Sequence, residues 1–138
     1  MADKLTLRVV TPTRLVLDEE VDEVTAAGAL GEFTVLPNHI AFLTLLEIGV
    51  LSYKQGGVRY ALATSGGYAE VLDNVVTVLA NTAEFADEID VARAQRAKEA
   101  AEQRMAGRGM DESDFIEAQA ELRRAQVRLA VAGKEARR

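Results

Sequence analysis

The chain of 138 residues has no cysteine and a single histidine. Without thiols there is no disulfide framework and no thiolate nucleophile, and a reducing compartment fits that lack. With His39 alone, a metal site built from His and Cys cannot form. A Ser–His–Asp triad would have to join His39 to Ser52, Ser65 or Ser113, and no nucleophile-elbow pattern surrounds any of these serines. Phosphate-cradling loops are missing too, since neither Gly-Lys-Ser/Thr nor Gly-x-Gly-x-x-Gly occurs. The pairs Gly56-Gly57 and Gly66-Gly67 read as turns, and Glu19-Glu20 as solvated charge. No run approaches membrane-spanning length, because Thr44, Glu47 and Gly49 interrupt the passage from Ile40 to Leu51. Met1-Ala2-Asp3-Lys4 leads into a strand-like alternation at Leu5, with no apolar run of signal-peptide length. These absences leave little chemistry for an enzyme. A sandwich-type hydrolase lacks any supporting motif, and the expectation is a non-catalytic chain that works through contacts, cytosolic or peripheral to a larger body.

What is present changes texture near Asp87. Residues 1–86 are rich in short Val, Leu, Ile and Thr runs; residues 87–138 are dominated by Ala, Arg, Glu and Gln. The first part holds 5 Lys or Arg against 11 Asp or Glu, and the second holds 11 of each. An acidic first part is repelled by phosphate backbones, which argues against nucleic acid. Alternating charge in the second part suits a solvated helical segment.

Period-2 alternation predicts a strand at Leu5–Val9, and short strand-like or apolar runs between turn signals predict others at Arg14–Leu17, Val21–Ala26, Glu32–Leu36, Phe42–Leu46, Gly49–Tyr53 (these two separated by Glu47), Val58–Ala63, Tyr68–Leu72 and Val75–Ala80. Gly56-Gly57 and Asp73-Asn74 are the expected hairpin turns, and Ser65-Gly66-Gly67 an expected break. Many short strands with close turns suggest a sandwich or barrel. Beyond them, Asp90 is placed to cap a helix from Val91 to Met105, Gly107 and Gly109 to end it, and Asp111 or Ser113 to cap a second. Phe115, Ala118, Leu122, Ala125, Leu129 and Ala132 form one face of the second helix, and Ala94, Ala97, Ala101 and Met105 a matching face of the first. The two pair as an antiparallel hairpin. Alanine has little area to bury but strong intrinsic helicity. The hairpin therefore reads either as a permanently packed element or as an arm that leaves its seat while staying helical.

Arg93, Arg124 and Arg128 are spread over both helices. In an antiparallel hairpin Arg93 approaches Arg128, with Asp90 and Glu84 close by. Such a convergence makes an anion site able to take a polyphosphate; the alternative is ordinary surface arginines.

Four segments carry a resemblance across nearly the whole chain: Leu7-Arg8-Val9-Val10-Thr11-Pro12, Gly31-Glu32-Phe33-Thr34-Val35-Leu36-Pro37-Asn38-His39, Ser65-Gly66-Gly67-Tyr68-Ala69-Glu70-Val71 and Val76-Thr77-Val78-Leu79-Ala80. In this order, ahead of a helical tail, they resemble the epsilon subunits of bacterial F-type ATP synthases. The resemblance implies an α+β fold, with an N-terminal β-sandwich (1–86) followed by a C-terminal antiparallel two-helix hairpin (87–138). It implies a central-stalk rotor subunit of a proton-translocating synthase that couples the catalytic head to the c-ring. The sandwich would bind the gamma subunit and rest on the c-ring through Glu32, Asn38 and His39. Asn38 stands where the family has Gly, a replacement Asn makes where φ is positive. The hairpin, extended, would reach the alpha/beta head and inhibit ATP hydrolysis. The implied location is peripheral, on the cytoplasmic face of the bacterial inner membrane, without membrane insertion. Ile89-Asp90-Val91-Ala92-Arg93-Ala94 is similar to the ATP-binding motif of some members, and Glu84, Arg124 and Arg128 look matched to it. Ala100 replaces a basic residue of that pattern, with Lys98 nearby. No cofactor is required; ATP is the implied regulatory ligand, and an ATP-sensing module is the alternative reading.

Overall fold

The alternation of Leu5, Leu7 and Val9 becomes a strand whose three apolar side chains are wholly buried. The computed structural model describes residues 3–107, 109–134 and 138. Met1-Ala2 of the start, Arg108 of the interhelical connection and residues 135–137 lie outside the described residues. The strands are β1 (Leu5–Val10), β2 (Leu15–Val21), β3 (Glu23–Gly28), β4 (Gly31–Val35), β5 (Phe42–Gln55), β6 (Val58–Leu72), β7 (Val75–Ala80) and β8 (Ala83–Phe85). A single 3-10 turn, Ala86–Glu88, leads to the helices α1 (Val91–Ala106) and α2 (Glu112–Ala132).

The strands pair in the order β2-β1-β7-β6-β5-β3-β4, with β8 against β6. β5 and β6 are long, 14 and 15 residues. Each replaces two of the short strands expected from the sequence, so Ser65-Gly66-Gly67 bends a strand without ending it. Gly66 and Gly67 hold φ of 80° and 124°, which lets the chain turn while keeping its partner on β5. Register is unbroken in sense from Gln55↔Val58 at the hairpin to Phe42↔Val71 at the far end. On one side of the bend Leu62–Thr64 pairs with β8, and on the other Gly67–Leu72 pairs with β7. The sheet thereby folds into two layers, β2-β1-β7 with one half of β5 and β6, and β4-β3-β8 with the other. Leu7 and Val78 from the first layer share one core with Leu51, Tyr53 and Leu62 from the second. The hairpin turns at Gly56-Gly57 and Asp73-Asn74 have positive φ at both central residues, the two-residue geometry that matches strand twist. β8 is too short, at three residues, to stand out in the sequence.

Asp90 caps α1 by accepting the Arg93 N–H at 3.0 Å. Asp111, rather than Ser113, caps α2, accepting the Asp114 N–H at 2.8 Å. Between the helices Ala94, Ala101, Ala118 and Ala125 are buried, while Ala97 is exposed and Phe115 keeps 40% of its surface, so the expected apolar stripe thins toward the hairpin tip. Arg104 pairs with Glu121 across the two helices at 2.7 Å. A second face of α2 rests on the sandwich: Val127, Val131 and Ala132 pack with Ala61, Ala63, Ala86 and Ile89. On the helix side the seat holds two buried valines, about 1.5–3 kcal/mol each, and alanines that add little, against Ile89 with Ile48 and Val50 at its edge, a shallow seat for a helix of 21 residues. Among the described residues no helix is long and apolar enough to cross a membrane.

Candidate functional site

β8 carries Glu84 to the edge of α2, where Arg128 Nε donates to its Oε1 at 2.6 Å. Arg124, one turn before Arg128, completes a recess with Thr64, Ser65 and Thr82. The Ser65 and Thr82 hydroxyls lie 2.5 Å apart. The recess encloses about 10 Å³, room for a water and not for a nucleotide. Glu84, Arg124 and Arg128 are thus together, while Asp90 and Arg93 do not line this recess. The Asp90 carboxylate is spent on capping α1. Arg93 is exposed because its neighbour Ala94 faces α2, and adjacent helical residues diverge by about 100°.

The second predicted group divides. Asn38 has φ 69°, and its N–H donates to Asn74 Oδ1 at 2.6 Å while its side-chain amide donates to Asp3 at 3.0 Å. The first bond ties the 36–40 loop to the β6–β7 turn, and the second ties it to the segment before β1. His39 follows, with Nδ1 2.7 Å from the Ile40 carbonyl oxygen and its ring edge-on to Phe42. Asn38 and His39 line a recess with Ile40, Leu72 and Asn74. Glu32 sits on β4 opposite Ala27 and lines a different recess, with Thr25, Thr34, Arg59 and Lys134. Strand alternation explains the split, since Glu32 shares the outer face with Thr34, whereas the loop begins only after Val35.

A third surface has no counterpart in the sequence reading. Leu45, Tyr68, Leu79, Val10 and Leu15 are direct cross-strand neighbours on β5, β6, β7, β1 and β2. They form an apolar ladder on the outer face of the first layer, and Leu45, Tyr68, Leu79 and Leu15 are each more than half exposed. The signal was available: Leu43-Thr44-Leu45-Leu46 and Val78-Leu79-Ala80 are apolar at both parities, which a strand with one wet face does not require. Among the described residues no group of three or more His, Asp or Glu is placed to hold a metal ion.

The pattern of the ATP synthase delta/epsilon chain β-sandwich domain matches residues 4–86, and that of the same chain's long α-helix domain matches residues 87–133. The chain belongs to the ATP synthase delta/epsilon family. The ATP synthase epsilon chains of Geobacter metallireducens and Geotalea daltonii are 51% and 53% identical to it over 138 residues, the whole of both chains in each case. A chain in the solved Euglena gracilis mitochondrial ATP synthase, an assembly of OSCP, F1 and c-ring, superposes with a TM-score of 0.80 at 27% identity, covering 94% of this chain and 81% of that one. The Tetrahymena thermophila mitochondrial central stalk and c-ring structure holds another at TM-score 0.62 and 16% identity, covering 95% and 98%, a likeness of fold. The delta/epsilon fold of a β-sandwich followed by two helices is the one described above. This chain is an epsilon-type ATP synthase subunit, an accessory and not a catalyst.

Proposed function

We propose that the chain is a central-stalk rotor subunit that docks onto the gamma subunit through its sandwich, faces the c-ring through the Asn38–His39 loop, and restrains ATP hydrolysis with its helical hairpin. The observation that carries this reading is the exposed ladder of Leu45, Tyr68, Leu79 and Leu15. Contiguous apolar surface on a folded chain marks a contact with another protein. The loop end is also apolar, with Ile40 78% exposed and Leu36 54%, and suits an adjoining ring. The shallow Val127–Val131 seat favours a hairpin that leaves the sandwich, reaches the alpha/beta head and blocks hydrolysis. The subunit works peripherally, on the cytoplasmic face of a bacterial inner membrane. The test is reconstitution with gamma. Leu45→Glu combined with Leu79→Glu is expected to weaken gamma binding about 100-fold or more, the scale of lost anchor residues, with the sandwich still folded. Unchanged co-purification with gamma would sink the docking reading.

A second reading, ATP sensing, is favoured by the Glu84–Arg128 pair with Arg124 beside it. Binding there requires the arginines to turn outward toward Arg93, because the recess between them has room for no more than a water. Amide shifts at Asp90, Arg93, Arg124 and Arg128 during ATP titration, lost in Arg93→Ala, are the expected result. Flat shifts at millimolar ATP would remove the nucleotide from the account.

A further inference from the structure

Arg138 lies outside every strand and helix, six residues beyond the end of α2 at Ala132. Its side chain enters the open edge of the sandwich. One guanidinium nitrogen donates to Glu19 Oε2 and to the Tyr53 phenol oxygen, each at 2.8 Å, and the other pairs with Glu19 Oε1. The guanidinium carbon stands 5.4 Å from the Phe85 ring centre and 5.8 Å from that of Tyr60. Gln55 donates from its side-chain amide to the same Glu19 Oε2 at 3.2 Å, and Tyr53, wholly buried, stacks on Tyr60.

These partners come from β2, β5, β6 and β8, so both layers of the sandwich contribute. A carboxylate presented to a fork of donors, with aromatic rings beside it, fits a guanidinium far better than an ammonium. The receptor belongs to the rigid sandwich, and its ligand belongs to the tail of the hairpin. Both charged side chains keep about a third of their surface, 34% for Arg138 and 31% for Glu19. Water therefore stands ready to receive each charge when the pair opens, and the contact is reversible where a buried pair would not be.

We propose that Arg138 is a clasp that holds the helical hairpin on the sandwich, with Glu19, Tyr53, Tyr60 and Phe85 as its receptor. The proposal rests on the reading of the hairpin as a movable arm and supplies the contact that sets how often it is seated. The Val127–Val131 seat positions α2, and the clasp adds a second point of attachment at Arg138.

The absence of native cysteine makes the full chain suited to paired spin labels, one at Leu30→Cys on the β3–β4 turn and one at Gln119→Cys on the exposed side of α2. Arg138→Ala and Glu19→Gln are each expected to raise the population at long label separation about tenfold, the scale of one charge-assisted bond. The double variant is expected to go no further than Arg138→Ala alone, which already removes every contact of the clasp, and Arg138→Lys to fall between Arg138→Ala and the parent. An unchanged distance distribution in Arg138→Ala, or additive effects in the double variant, overturns the clasp. The same variants assembled into a synthase separate the two ideas. A larger unseated population with unaltered ATP hydrolysis overturns the inhibitory reading of the arm and leaves the clasp standing.

Discussion

Gly67 shows how much one atom decides. A Cβ at that position would lie 1.9 Å from the Leu79 carbonyl oxygen and 2.9 Å from the Ala80 Cα. Both are backbone atoms of β7, so the clash cannot be relieved by a rotamer. With φ at 124°, a region closed to L side chains, Gly67→Ala is expected to cost about 3 kcal/mol or more. Urea unfolding should show a lower midpoint with an unchanged slope if the sandwich keeps its shape. Asn38 is a milder instance of the same restriction. The family resemblance implied a positive φ there, its φ is 69°, and a bond to Asn74 holds it in place. Glycine's role at residue 67 was legible only in part. The triplet Ser65-Gly66-Gly67 announces unusual backbone, but whether such backbone ends a strand or bends it depends on β7 pressing from the side, which local sequence does not contain.

Helix ends were the most legible elements because their chemistry is local. Asp90 and Asp111 each accept an N–H three residues on, and a carboxylate before an Ala-rich or amphipathic run is sufficient signal for that. Asp90→Ala is expected to destabilise the first turn of α1 by about 1 kcal/mol, seen as faster amide exchange at Arg93 than at Ala101, with Asp90→Asn close to the parent. Strand length was less legible. β5 and β6 each carry apolar residues on both parities, since one face meets the core while the other meets α2 or forms the exposed ladder. Alternation blurs there, and Glu47 looked like a boundary although it lies within β5. β8 escaped because Ala83-Glu84-Phe85 is too brief to show a period. The second face of α2 was missed as well, because Val127 and Val131 fall beside the Ala stripe and its spacing drew the eye first.

At the scale of the molecule, contacts between distant segments decide, and these were the least legible. Glu84 and Arg128 were expected to converge at one site with Asp90, Arg93 and Arg124, and these two do meet, but Glu19 with Arg138 spans nearly the whole chain, and nothing near either residue announces it. That pair also sets the acid response. The hydrogen bond from Arg138 holds the Glu19 carboxyl below its ordinary value, and the bond from Lys4 does the same for Asp22. A carboxyl whose pKa is lower in the folded chain than in the unfolded one adds stability above the unfolded value, and that share is lost as pH falls through the folded value. Melting temperature is therefore expected to hold between pH 7 and about 5 and to drop below about pH 4, less steeply in Arg138→Ala, when followed by circular dichroism in dilute solution. Dilution matters because net charge passes through zero near pH 4.9, where copies cease to repel. The two long strands bear on a different demand. Because β5 and β6 run through both layers in one register, interrupted only at Glu47 and Gly66 where the strands bend, neither layer can shear past the other without parting backbone hydrogen bonds. On the reading proposed for this chain, a body seated between a turning shaft and a ring would pass torque across itself, and these paired strands would lend the sandwich the torsional stiffness of a single welded plate.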